Sequence, residues 1–119
     1  MANEHLRTAA ANLQRAVSDV RELQRQIRAD IDNTRHNNDK TINDINNQII
    51  QLENLKKNAQ GHESDKLAAG MKQQMLHAEI SKIHSNTDAY VRQQSQKLSD
   101  LDGQIREFEN LAGRLNSLA

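Results

Sequence analysis

The stretch Asn58-Ala59-Gln60-Gly61-His62-Glu63-Ser64 lies at the middle of the 119-residue chain and contains its first glycine. On either side of it, residues 4–58 and 64–118 form two arms of equal length that contain no proline. Two helices joined by so short a turn pack side by side as an antiparallel pair. The sequence therefore predicts an all-α fold, a long antiparallel helical hairpin. Its turn is expected at residues 59–63, within a single domain spanning residues 1–119.

The turn carries the residues that end one helix and begin another. Gly61 is predicted to adopt the left-handed conformation that closes the first helix. Glu63 or Ser64 is predicted to cap the second helix, and Asp65 lies near its positive end.

The composition suits a helical hairpin better than a globule. Hydrophobic residues make up 35% of the chain and aromatic residues 2%, with one Phe and one Tyr. A compact domain needs more bulky apolar side chains than this, whereas two paired helices need only a narrow apolar stripe. The absence of proline and the presence of only four glycines argue against a fold of short strands and turns.

Both arms carry a seam whose steps alternate four and three, which is typical of a left-handed coiled coil. Each arm has one step of four followed by another of four, at Asn38 and at Gln94, which locally unwinds the supercoil. Folding at Gly61 pairs residue i with about residue 122 − i, since twice 61 is 122, and this places Asn38 opposite His84. In the second arm, Leu67, Met71 and Met75 are expected to extend the apolar face toward the turn. The seam positions of the first arm are Leu6, Ala10, Leu13, Val17, Val20, Gln24, Ile27, Ile31, Thr34, Asn38, Ile42, Ile45, Ile49 and Leu52. Those of the second arm are Leu76, Ile80, Ile83, Thr87, Tyr90, Gln94, Leu98, Leu101, Ile105, Phe108, Ala112 and Leu115.

Residues 32–41 contain no bulky apolar side chain, and we call this segment, with the positions opposite it, the polar waist. Its composition leaves a second topology open. If the segment were a loop, Asp39 or Thr41 would cap a new helix. The fold would then be a three-helix arrangement with a break near residues 32–41.

Charge and composition disfavour several classes of function. The chain has 16 basic and 16 acidic residues, so no basic surface is expected to attract nucleic acid or anionic lipid. It has no cysteine for disulfides or thiolate chemistry. The first residues lack the apolar run of a signal peptide. We expect a soluble, cytoplasmic protein with no nucleic-acid or membrane partner; the alternative is secretion by a route that needs no signal peptide.

Apolar residues near the turn cover more than one stripe of each helix, and one hairpin is not expected to bury them all. Association would cover them, most simply by two hairpins forming a four-helix bundle. The sequence thus predicts a non-enzymatic structural or interaction protein, a scaffold or adaptor that binds itself or a helical heteropartner, with no catalytic residue and no cofactor. The predicted partner-binding residues are Ile49, Ile50, Leu52, Leu55, Leu67, Met71, Met75 and Leu76.

The histidines offer a second alternative, a metal- or pH-responsive switch at the polar waist. His84 and Asp88 have the i, i+4 spacing of two ligands on one metal ion. His36 and Asp39 would approach them from the other arm. The competing interpretation is that polar seam residues set the register of the hairpin.

The hairpin with the turn Ala59-Gln60-Gly61-His62 resembles, in architecture, the small secreted partners of the bacterial type VII system. That family has Trp-x-Gly at the turn and a Tyr followed four positions later by Asp in its tail. In this chain the turn has no Trp, and Tyr90 is followed by Gln94. The resemblance implies a helical accessory or delivery partner of a secretion system, and no site residue is assigned from it.

Overall fold

A computed structural model describes residues 2–59 and 62–119. It contains two α-helices, α1 at Ala2–Asn58 and α2 at Glu63–Leu118. The prediction of an all-α antiparallel helical hairpin is confirmed. The helices begin two residues and one residue earlier than the predicted arms, at Ala2 and Glu63, and they end where predicted.

Backbone hydrogen bonds on both sides of the turn define how the helices end and begin. The Ala59 N–H donates to the Leu55 carbonyl at 3.0 Å, and the His62 N–H donates to the Ala59 carbonyl at 3.2 Å. The Lys66 N–H donates to the His62 carbonyl at 3.1 Å. This first intrahelical bond makes His62 the N-cap residue, so the prediction that Glu63 or Ser64 caps α2 is wrong. The prediction for Gly61 lies outside the described residues.

Helix α1 continues through residues 32–41, so the three-helix alternative is wrong. The segment is polar, but it contains neither proline nor glycine, and its residue types cost no more than about 0.7 kcal/mol each in a helix. The Thr41 hydroxyl even bonds within the helix, donating to the Asn37 carbonyl at 3.0 Å. This segment has low helix propensity, and it stays helical because its seam positions, Thr34 and Asn38, are half-buried against the other helix.

The predicted seam positions of both helices are buried or half-buried. The prediction fails only near the turn, where Leu67, Met71 and Met75 do not continue the seam of α2. Counting back from Leu76 in steps of three and four, the buried positions are Gln73 and Ala69. A polar and a small residue therefore face α1 there, and the larger apolar side chains remain exposed.

The contacts of the chain group into two units. The terminal unit combines α1 through Ile31 with α2 from Arg92 onward, and the turn unit comprises Asp32–Val91. Each unit contains a stretch of both helices. The single domain over residues 1–119 stays a prediction.

Candidate partner-binding surface

A buried glutamine connects the two helices of the terminal unit. The Gln24 side chain is only 4% exposed. Its amide nitrogen donates to the Leu98 carbonyl at 3.3 Å and to Asp102 Oδ1 at 2.6 Å. At the edge of the same unit, the Arg21 guanidinium lies 2.7 Å from Glu109 Oε1, an exposed pair that contributes little to stability.

The turn unit repeats this arrangement with the helices exchanged. Gln73 of α2 is 9% exposed, and its amide nitrogen donates to the Ile49 carbonyl at 3.2 Å and to Glu53 Oε2 at 3.0 Å. In each unit, a glutamine thus binds the carbonyl of one residue and the carboxylate four residues later on the opposite helix. Residue numbers 24 and 98 add to 122, as do 73 and 49, which agrees with the predicted register.

The glutamine of the turn unit also organises two charged neighbours. Gln73 Oε1 accepts a hydrogen bond from the Lys56 ammonium at 3.2 Å, and that ammonium lies 3.7 Å from Glu53 Oε2. The hydrogen bond from Gln73, and secondarily the charge of Lys56, lower the pKa of Glu53 below its ordinary value. The carboxylate therefore stays ionised at neutral pH and remains an acceptor for Gln73.

At the polar waist, the side-chain amide of Asn38 and the hydroxyl of Thr87 link the two helices by a hydrogen bond. Asn38 Nδ2 donates to Thr87 Oγ1 at 2.5 Å, and the Thr87 hydroxyl donates to the Ile83 carbonyl at 2.7 Å. The prediction that Asn38 faces His84 is wrong by three residues, because Thr87 lies in the seam while His84 is exposed. Every buried side-chain nitrogen and oxygen among the described residues has a hydrogen-bond partner.

The four residues considered for metal binding, His36, Asp39, His84 and Asp88, are all exposed. Within residues 2–59 and 62–119, no three His, Cys, Asp or Glu side chains are grouped closely enough to hold a metal ion. The structure does not bring the four together, and the metal-responsive switch stays a prediction.

The eight predicted partner-binding residues separate into two groups. Ile49, Leu52 and Leu76 lie in the seam and are buried or half-buried. The other five are exposed: Ile50 and Leu55 on α1, and Leu67, Met71 and Met75 on α2. The exposed residues of α1 lie on opposite flanks of its seam, given the rotation of about 100° per residue. Among these five described residues, those of α2 alone form a row at steps of four.

That row belongs to a second face of α2, turned away from α1. At about 100° per residue, Leu67, Met71 and Met75 lie roughly opposite the buried positions of the same helix. Exposed residues follow alternating steps of three and four along it, and none is charged. We call this the α2 outer face; it comprises Ser64, Leu67, Met71, Gln74, Ala78, Ser81 and Ser85, with Met75 beside them.

The heptad spacing of the α2 outer face is visible in the sequence, but the same apolar residues were assigned there to the seam that faces α1. Apolar character alone favours Leu67 and Met71 for that seam. The structure instead places Ala69 and Gln73 there, and this frees the larger side chains for a second surface.

Comparison of the chain with family models, curated proteins and solved structures finds no match. Among the described residues, neither helix has a stretch apolar and long enough to cross a bilayer.

Proposed function

We propose that this protein is a structural or interaction protein whose binding surface is the α2 outer face of the turn unit. The observation that carries the proposal is the exposure of three long apolar side chains in one row. Leu67 is 67% exposed, Met71 59% and Met75 72%. Single exposed apolar residues are ordinary on protein surfaces, whereas a contiguous row of them is typical of an interaction site.

The spacing of the row suits a helical partner. Residues at i and i+4, such as Leu67 and Met71, have the spacing of the anchors by which one amphipathic helix binds along another or in a groove. Burying side chains of this size contributes about 1.5–3 kcal/mol each, less the cost of association. The flexible, polarizable thioethers of Met71 and Met75 adapt their shape to the surface they meet.

The test replaces two anchors with charges, in the double variant Leu67→Glu/Met71→Glu. Both side chains are exposed, so the hairpin is expected to keep its helix content, measured by circular dichroism. Association is expected to be lost, both in sedimentation of the purified chain and in capture of proteins from an extract of the source cells. Ile49→Glu is unsuitable here, because Ile49 is half-buried and its carbonyl accepts the Gln73 bond.

The matched control is Leu118→Glu. Leu118 is a leucine of similar exposure, but it lies in the terminal unit. This variant is expected to associate as the unchanged protein does. The proposal is contradicted if Leu67→Glu/Met71→Glu associates as strongly as the control in both assays.

A further inference from the structure

We propose that the two units open in a fixed order. The terminal unit separates into its two helical segments while the turn unit stays closed, and the turn unit opens only after it. The chain therefore has a partly open state, in which the buried residues of the terminal unit are exposed and those of the turn unit remain covered. This inference goes beyond the proposed function, because it concerns the opening of the hairpin and not the α2 outer face.

The buried side chains fall into two sets, one in each unit. Among the described residues, α1 has no buried side chain between Ile31 and Ile45, and α2 has none between Leu76 and Ile105. The positions in these two intervals are half-buried or exposed, and they include the polar waist. Regions that open together in proteins coincide with contiguous buried packing. An interruption in both helices therefore allows the two sets to open separately.

The turn unit keeps its own interhelical hydrogen bonds when the terminal unit opens. Asn38 and Thr87, which bond each other, both belong to the turn unit. Gln73 and its partners Ile49 and Glu53 belong to it as well. Opening of the terminal unit alone breaks none of these bonds, so none of these polar groups is left without its partner, which would be costly.

The length of the connection between the segments sets the order of opening. Four residues, 59–62, connect the helical segments of the turn unit, since α1 ends at Asn58 and α2 begins at Glu63. The segments of the terminal unit are connected by the 60 residues from 32 to 91. If the turn unit opened first, the terminal unit would have to close a loop of 60 residues instead of four. Loop-closure entropy disfavours this about 60-fold, from the 3/2 power of the ratio of the two lengths.

Opening of the terminal unit can be followed at its backbone amides. A helix in water depends mainly on the packing of its apolar face. The separated segments are therefore expected to lose helical hydrogen bonds and to exchange their amide hydrogens with solvent. The seam that becomes exposed contains the buried side chains Ala10, Val17, Ile31, Ile105 and Ala112.

The test is native-state hydrogen exchange of the full chain, measured by NMR at a pH where the exchange rates report the opening equilibrium. Two matched variants each shorten one buried isoleucine, Ile45→Ala in the turn unit and Ile105→Ala in the terminal unit. The amide of Val17 reports on the terminal unit, and the amide of Leu76 reports on the turn unit.

The two variants are expected to act differently. Ile45→Ala should leave exchange in the terminal unit unchanged within about twofold, since the turn unit stays closed in the partly open state. In the turn unit, the same variant should speed exchange about 30-fold or more, because a buried isoleucine side chain is lost. Ile105→Ala should speed exchange in both units by the same factor, because the turn unit opens only after the terminal unit.

Two results would overturn the proposal. Equal acceleration of both units in Ile45→Ala would show that the hairpin opens as a single unit. Unchanged exchange of the turn unit in Ile105→Ala would show that the units open independently, without an order. Should an alanine variant not fold, Ile45→Val and Ile105→Val give the same comparison with an acceleration of about fivefold.

Discussion

The terminal unit and the turn unit join their helices by the same pattern of glutamine hydrogen bonds but present different outer surfaces. In each, a buried glutamine bonds a carbonyl and a carboxylate one turn apart on the facing helix. Away from α1, however, the turn unit carries the uncharged α2 outer face with its row Leu67, Met71 and Met75. In the terminal unit, the exposed leucines of α2, Leu111 and Leu118, stand among polar and charged residues. The exposed outer positions of the terminal unit include Gln96, Glu107, Asn110 and Arg114. The seam therefore explains the hairpin, and the outer surface of α2 is where the two units differ.

The largest effect in this comparison is expected from removing one buried isoleucine of each unit. Ile45 lies in the turn unit and Ile105 in the terminal unit, and both are buried. Ile45→Ala and Ile105→Ala are each expected to lower the free energy of unfolding by about 2–4 kcal/mol, because each leaves a cavity in a narrow seam. Denaturant titration measures both. A loss below about 1 kcal/mol in either variant would show that its seam collapses around the cavity.

A smaller effect is expected from the two glutamines. Gln24→Ala and Gln73→Ala should each cost about 1–3 kcal/mol, because the polar groups they bind lose a partner. Gln73 makes one more hydrogen bond than Gln24, to Lys56, so its removal should cost more. Thermal or denaturant unfolding gives both values. The reverse order would indicate that water replaces the lost bonds more easily in the turn unit.

Acid titration distinguishes the hydrogen bonds of Gln73 from those of Gln24. Since the pKa of Glu53 is lowered in the folded state, its contribution to stability is complete above the ordinary glutamate pKa. The contribution is lost as the pH falls through the lowered value. Gln73→Ala removes the main cause of the shift, so the pKa of Glu53 should rise toward its ordinary value. Side-chain carboxyl resonances followed by NMR report the shift, and Gln24→Ala is the control. An unchanged pKa of Glu53 in Gln73→Ala would assign the shift to Lys56 instead.

The smallest effects are expected from the glycines within α2. A Cβ atom added at Gly70, Gly103 or Gly113 meets none of the described residues within 4 Å. Replacement by alanine should stabilise the chain by about 0.5–1 kcal/mol at each position, because alanine loses less backbone entropy in a helix. Gly70 lies in the turn unit and the other two in the terminal unit. A destabilising Gly70→Ala alone would point to a close neighbour in the turn unit.

The sequence predicted the fold well because the hairpin depends on the three- and four-residue spacing of its seam residues, and this spacing can be recognised in short stretches of sequence. At the polar waist the pairing is shifted by three residues from the prediction. The seam from Leu6 to Leu52 and the register near 122 at the two glutamines were predictable. The continuity of α1 through residues 32–41 was not, because helix propensity is too weak there to decide without the facing helix. The candidate surface was predicted only in part. Ile49, Leu52 and Leu76 look as apolar as Leu67 and Met71, and only the three-dimensional packing separates covered residues from exposed ones.

The two buried glutamines constrain how far α1 can slide along α2. If α1 slid by one heptad so that Gln24 met residue 105, its amide would find Glu109 where Asp102 now lies, and this misalignment would satisfy it. The same slide would place Gln73 opposite Lys56, with Gln60 in the position of the carboxylate. Gln73 would then lose its acidic acceptor. Gln24 alone would therefore accept a slide of one heptad in this direction, whereas Gln73 opposes it.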